Sequence, residues 1–404
     1  MNAEIPLRLP SLLDGATGTE LLARGMPQGA CTEQWILEHP KVLKELQQAY
    51  LEAGADLLTT PTFGASPAGL KRFGLAERTG EMNRRLVALT RQTAGDRAMV
   101  AGNLASCALG PTCVREGRFE SVVENYKSQV RALKEGGVDL YLIETMVDMA
   151  EARAAMLAVK ETDPDKPVVV TFYCDDEGRT PAGVDVLAAL IVMQGMGAAA
   201  FGLNCVPPAV IAEQLERLAP YAAIPLVAQP DTQGISPGEL AAWAEKYGAL
   251  GVRLFGGCCH TGPEKLAALR KAVDGLALGP FLPREKDPDV IPCASEREAR
   301  FITPDVDLSE PIACTSDLME DILEVEENTP VGAIKIEILE EDDVDIFAEH
   351  QYAVEDALCL WSDVPELLEK ALRVYQGRAF YDGTGEMEPE DLAPLVKKYG
   401  LILL

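Results

Sequence analysis

Positive charge is what this sequence is short of: 36 Lys+Arg stand against 64 Asp+Glu among 404 residues, a formal charge of −28. A deficit of that size repels phosphate backbones and anionic lipid, which argues against nucleic acid and membrane surfaces as partners. The opening residues, MNAEIPLRLP, lack the apolar run of a secretory leader. Long apolar runs are scarce too. The charge-free stretch 186–212 is broken by Gly195, Gly197, Gly202 and Asn204, with Pro207-Pro208 after them. It reads as a buried helix, a turn and a buried strand rather than a membrane span. The ten cysteines, two of them adjacent at Cys258-Cys259, lack the pattern of a disulfide framework and read as reduced thiols. With 48% apolar and 25% charged residues the chain is not mainly disordered. The expectation is a soluble, cytoplasmic, globular protein.

What is present is a regular alternation. Apolar runs at 10–14, 55–62, 99–104, 139–144, 167–174, 198–205, 225–231 and 251–259 are separated by helical patterns. Those patterns include 42–53, 82–93, 122–135, 149–161, 209–218, 237–247 and 263–273. Continuous apolar strands separated by helices suit a parallel sheet covered on both faces. Eight such units in roughly 270 residues predict a closed (β/α)8 TIM barrel over residues 1–278. An open doubly wound sheet fits less well, because DGATGTE after the first run lacks GxGxxG spacing.

Residues 279–311 carry six prolines and mixed charges and are expected to be a linker. Beyond it, 312–404 reads as a smaller acidic α/β domain. Strands are expected at 312–315, 333–339, 357–361, 378–381 and 401–404, and helices at 317–326, 344–350, 364–376 and 389–399. Asp363 and Glu366 have the spacing of a helix-capping pair, and Thr261, Pro263 and Glu264 open another helix. Residues 281–404 hold 31 acids and 10 bases, a net of −21, which leaves −7 for the first 280. Such a surface is either a solvated face or a docking face for a basic partner.

Cys205 in GLNC and Cys258-Cys259 in GGCC close the sixth and eighth predicted strands. Barrel strands open at their C-termini onto one face, so thiols about fifty residues apart in sequence converge there. Three thiolates around one soft metal, with a fourth position open, is the layout of a catalytic zinc site. The preceding glycines, Gly202 and Gly256-Gly257, are expected to allow the tight backbone this needs. The other seven cysteines (Cys31, Cys107, Cys113, Cys174, Cys293, Cys314, Cys359) read as structural. Asp14 and Glu144 end the first and fourth strands, which puts two carboxylates on the same face, where they suit a substrate ammonium.

Residues 5–275, two thirds of the chain, resemble the homocysteine S-methyltransferase family, and within it the homocysteine-binding domain of cobalamin-dependent methionine synthase. The resemblance lies in DGATGTEL (14–21), YLEAGADLLTTPTFGAS (50–66), GPT (110–112), GGVDLYLIETMVDMAEARAA (136–155), GLNC (202–205) and GGCC (256–259). It implies a zinc held by Cys205, Cys258 and Cys259, and homocysteine activated as a zinc thiolate that accepts a methyl group to give methionine. It further implies that Asp14 and Glu144 receive the substrate amino group, with Gly15, Thr145 and Asn204 around its polar end. A thiol of pKa about 8.5 is mostly protonated at neutral pH, and metal binding removes that proton.

The methyl donor is less directly written. About 125 residues follow the barrel, which is short for folate and cobalamin modules together. The three histidines, His39, His260 and His350, do not form a DxHxxG corrinoid motif. The expected donor is therefore a methyl-corrinoid on a separate protein, with the acidic C-terminal domain as its docking element. Alternatives are another thiol, a methylated sulfonium or other non-corrinoid donor, and a non-catalytic zinc or thiol sensor. His260, directly after the cysteine pair, stands where the family usually has a small residue. It reads as a loop residue, with a hydrogen bond to a thiolate or a contact with a partner as the functional options. Tyr126, Phe63 and Phe255 read as packing residues.

Overall fold

The computed structural model describes residues 5, 8–107, 118–285, 287–328 and 331–404. Eight parallel strands follow one another: β1 (Ser11–Leu12), β2 (Leu57–Thr59), β3 (Met99–Ala105), β4 (Leu140–Met146), β5 (Val168–Phe172), β6 (Ala200–Asn204), β7 (Leu226–Gln229) and β8 (Val252–Phe255). Each pairs with its neighbour in sequence, and β8 pairs with β1 through Ser11 and Leu254. A parallel bridge between Leu13 and Leu57 joins β1 to β2, so the sheet closes into a (β/α)8 barrel. The charge-free stretch becomes the buried helix Val186–Gly195 followed by β6. No helix among the described residues is long and apolar enough to cross a membrane.

The inside of the barrel is layered by the two-residue period of its strands. Leu13, Leu57, Ala101, Leu142 and Val227 belong to one buried apolar plug. Two residues further along the same strands stand Thr59, Asn103, Glu144 and Gln229, all lining a cavity at the C-terminal end. The plug supplies the floor, and the next inward layer supplies polar groups.

The stretch 279–311 is more than a connection. It contains an antiparallel hairpin, β9 (Ile291–Ala294) with β10 (Ala299–Ile302). Tertiary contacts hold it: Asp185 N–H donates to Arg297 O at 2.9 Å, and Arg179 meets Glu298 at 2.6 Å. A five-stranded parallel sheet follows in sequence order, β11 (Ile312–Ala313), β12 (Ile334–Glu337), β13 (Leu358–Trp361), β14 (Phe380–Tyr381) and β15 (Ile402–Leu403). Cys359 and Phe380 pack with Cys293 and Ile291 of the hairpin, so β9 and β10 cover part of one sheet face. Two expected caps are replaced. Helix Pro365–Val374 is capped at Val364 without a side-chain bond, and helix Pro263–Asp274 at Gly262. Thr261 Oγ1 is turned away to Thr232 Oγ1, 3.0 Å distant.

This sheet docks on the outer helix that follows β4, Met149–Thr162, in which every residue from Met149 to Val159 is buried. Arg153, 1% exposed, donates to Leu372 O at 2.9 Å and to Tyr375 O, supplying donors where helix Pro365–Val374 ends and its own N–H groups run out. Lys160 donates to Lys397 O, and Arg373 binds Glu120 and Glu161. Barrel and C-terminal layer thus share one buried seam.

Candidate active site

The thiols meet just past two strand ends. Cys205 Sγ lies 3.3 Å from Cys259 Sγ, and the three sulfurs of Cys205, Cys258 and Cys259 lie within 4.8 Å of one another. Among the described residues no other group of His, Cys, Asp or Glu converges in this way. Three ligands about 2.3 Å from a tetrahedral zinc put their sulfurs about 3.8 Å apart, inside the observed spread, so the donor set fits a soft metal. Without one, the cluster favours a single thiolate: hydrogen bonds from Cys205 and Cys258 hold Cys259 well below the usual thiol range. Gly202 and Gly257 serve close approach rather than left-handed backbone. A Cβ on Gly202 would stand 2.0 Å from Val227 O, and one on Gly257 would stand 2.1 Å from the Thr261 side chain.

Three non-glycine residues in or beside the cluster hold left-handed backbone: Thr145 (φ 56°), Cys205 (φ 63°) and His260 (φ 61°). For a β-branched threonine this costs about 1–3 kcal/mol and persists only where neighbours impose it. Asn204 imposes it. Its Oδ1 accepts Thr145 N–H at 3.2 Å, and its Nδ2 donates to Thr145 Oγ1 at 2.7 Å and approaches Cys258 Sγ at 3.8 Å. Asn204 is wholly buried and stands behind the cavity wall rather than in it, which refines its expected place around the substrate.

The cavity holds about 360 Å³, within the range of about 300–1,000 Å³ usual for small-molecule sites. Asp14, Gly15, Glu144, Thr145 and the three cysteines all line it. Asp14 is fixed by two bonds from Thr59, N–H to Oδ2 and Oγ1–H to Oδ1, both 2.8 Å. Glu144 accepts from Asn103 Nδ2. Burial dominates both carboxyls, pushing Asp14 up to about 6 against the Thr59 bonds and Glu144 up to about 7, where nearby Asp14 adds to the effect. The acceptors Asn103 Oδ1 and Gln229 Oε1 are buried without a partner, on residues that line this cavity.

With this geometry in place, the comparison with known sequences is decisive: the model of the homocysteine S-methyltransferase family matches residues 11–273. The chain belongs to the homocysteine S-methyltransferase family. A methionine synthase of Mycobacterium leprae (strain TN) is 29% identical over 291 residues, 64% of this chain and 24% of that protein. The methionine synthase of Mycobacterium tuberculosis is 28% identical over 294 residues, again 24% of its length. The chain therefore spans about a quarter of the curated relatives it matches. The homocysteine methyltransferase MmuM from Escherichia coli, in its metallated form, superimposes with a TM-score of 0.57 at 27% identity, covering 65% of this chain and 95% of that one. Its oxidized form matches equally well.

Against the family's motifs, GPT (110–112) and Cys113 lie outside the described residues. His260 does not reach a thiolate: its Nδ1 lies 2.8 Å from Asp231 Oδ1. Tyr126 and Phe255 are buried packing residues, but Phe63 is 48% exposed and lines the cavity mouth, contrary to expectation. Thr59, Asn103 and Gln229 were not anticipated. Their signal is a polar residue at the last inward position of an otherwise apolar strand.

Proposed function

We propose that this member of the homocysteine S-methyltransferase family methylates homocysteine to methionine, with zinc held by Cys205, Cys258 and Cys259. The carrying observation is one cavity with a three-thiol cluster and two ammonium-accepting carboxylates on its wall. The related metallated structure supports a metal-holding fold. When bound, zinc supplies the positive charge that keeps a substrate thiol deprotonated near neutral pH.

The chain's own residues do the rest. Asp14, set by Thr59, and Glu144, set by Asn103, accept the substrate ammonium, and Asn103 Oδ1 offers a third acceptor. Because burial raises both carboxyls, the arriving ammonium supplies the counter-charge that lets them ionise. Thr145, pinned in left-handed backbone by Asn204, fixes the wall beside them. The substrate sulfur then attacks the methyl carbon. An S–C bond forms as the bond from methyl to the donor breaks, with its electron pair leaving on the donor. In this reading the donor is a methyl-corrinoid carried by a separate protein, which the acidic C-terminal domain docks.

The test is Cys205→Ala. It is expected to abolish both tight zinc retention and homocysteine-dependent demethylation of methylcobalamin, with the circular dichroism of the barrel unchanged. A variant that still holds one tight zinc and transfers methyl overturns the ligand assignment.

A further inference from the structure

In extended backbone adjacent side chains point to opposite faces, so Cys258 and Cys259 can face one centre only where the chain turns. It turns directly after them. Thr261 N–H donates to Cys258 O at 3.2 Å, which closes a four-residue turn whose third residue is His260, at φ 61°. Glycine takes that place without strain, whereas a histidine has to be held in it by its surroundings.

The holding contacts are specific. His260 N–H donates to Thr19 Oγ1 at 3.1 Å, its Nδ1 lies 2.8 Å from Asp231 Oδ1, and its carbonyl accepts from Lys265 Nζ at 2.9 Å. Lys265 Nζ also donates to Thr232 O at 2.7 Å and to Thr232 Oγ1 at 3.1 Å. All three protons of the ammonium are thereby spent. Thr232 passes the restraint on to the cysteines: its N–H donates to Cys259 O at 3.0 Å. Nearby, Cys258 N–H donates to Pro230 O at 2.9 Å. One side chain thus ties the turn after β8 to the loop after β7.

Nothing local asks for a lysine at 265. It is the third residue of helix Pro263–Asp274, in the first turn, where the helix dipole favours acids over cations. It makes no ion pair among the described residues, in a chain where acids outnumber bases by 64 to 36. A residue that breaks a local rule and spends every donor on one turn points to that turn as its purpose. We propose that Lys265 is a positioning residue of the metal centre: its three hydrogen bonds lock the turn after Cys259, so that Cys258 and Cys259 face the same ion. This rests on the zinc reading above and deepens it. Lys265 hydrogen-bonds no thiol among the described residues and acts through Thr232 and His260. Groups that orient metal ligands from behind carry a large share of a site's affinity.

Two measurements on the full chain test this without turnover: zinc affinity by competition with a chromophoric chelator, and the d–d absorption of the Co2+-loaded protein. Co2+ takes the place of zinc, and its bands report how closely the sulfurs keep to a tetrahedral arrangement. Lys265→Met keeps the length of the side chain and removes every donor. It is expected to weaken zinc binding about 10- to 100-fold and to shift or weaken the Co2+ bands, with circular dichroism unchanged. A merely structural role would leave the bands of the folded, metal-loaded protein as they are. Lys265→Gln keeps two donors on a shorter arm and is expected to lose about threefold or more, so it carries the test should Lys265→Met not fold. Native zinc affinity or native Co2+ bands in the folded variant overturns the proposal. A native chain that yields its zinc to the chelator and shows no thiolate-bound Co2+ spectrum overturns the zinc reading itself, and the proposal falls with it.

Discussion

Among the described residues no cation pairs with Glu144 or Asp14, and burial holds them near 7 and 6 rather than in the ordinary carboxylate range. The sign of the linkage follows. Glu144 binds its proton more tightly folded than unfolded, so its stabilising contribution is complete below about 4.5 and is lost as pH rises through about 7. Glu144→Gln keeps an acceptor for Asn103 Nδ2 and never ionises. In metal-free protein at pH 8 it should therefore raise unfolding stability by on the order of 2–3 kcal/mol while removing amine affinity. The gain should shrink toward nothing near pH 4.5, where the native side chain is neutral as well. Urea midpoints at the two pH values check this, and an unchanged midpoint at pH 8 would refute it. Asn204 is the second residue whose removal should speak clearly. Asn204→Ala leaves Thr145 in a left-handed conformation without its two bonds, so homocysteine should bind about tenfold or more weakly by titration calorimetry. Unchanged affinity would mean that Thr145 is held by something else.

At the scale of elements, the parallel strands were legible because those such as β5 and β6 are buried on both faces and read as largely apolar runs. Strand-end positions for Cys205 and the Cys258-Cys259 pair followed from that alternation. The hairpin at 291–302 was not legible. Pro292 and the run SEREAR give it no strand pattern, and its order comes from Arg179, Asp185 and the helix behind them. Phe63 was misread because an aromatic in an apolar segment ordinarily packs, whereas here the segment turns outward at the mouth. Helix Met149–Thr162 shows a related limit, since the partner that buries its outer face lies some 220 residues away at Leu372 and Tyr375. Arg153 is the joint of that contact, with Nε unpartnered and no acid beside its two carbonyl bonds. Arg153→Ala strips those carbonyls and opens a void, so it should cost about 2–4 kcal/mol. Melting should fall by several degrees and proteolysis should move into 279–311. A variant as stable and as protease-resistant as the native chain would show that the seam is held by Lys160 and Arg373 instead.

The whole molecule is electrically lopsided, with −21 of its −28 in residues 281–404. Among the described residues none of that layer lines the cavity, so its charge is either a solvated surface or a face for a partner. Truncation cannot separate these roles, because removing the layer exposes the buried helix Met149–Thr162 along with Arg153. Charge reversal on an exposed face can. Asp342, Asp345 and Glu349 are exposed on helix Glu341–His350, and replacing all three with lysine changes the field without touching the seam. If the layer steers a basic face of a corrinoid-carrying protein, the triple variant should lower kcat/KM with that protein by about tenfold at low salt. The loss should fade above roughly 0.3 M salt, where screening falls well below 10 Å. Turnover of free methylcobalamin, which approaches the mouth without a protein face, should stay as it was. Equal losses with both donors would place the effect inside the barrel and remove the docking role, because only a partner large enough to span cavity and C-terminal layer can feel one charge change and leave the other reaction untouched.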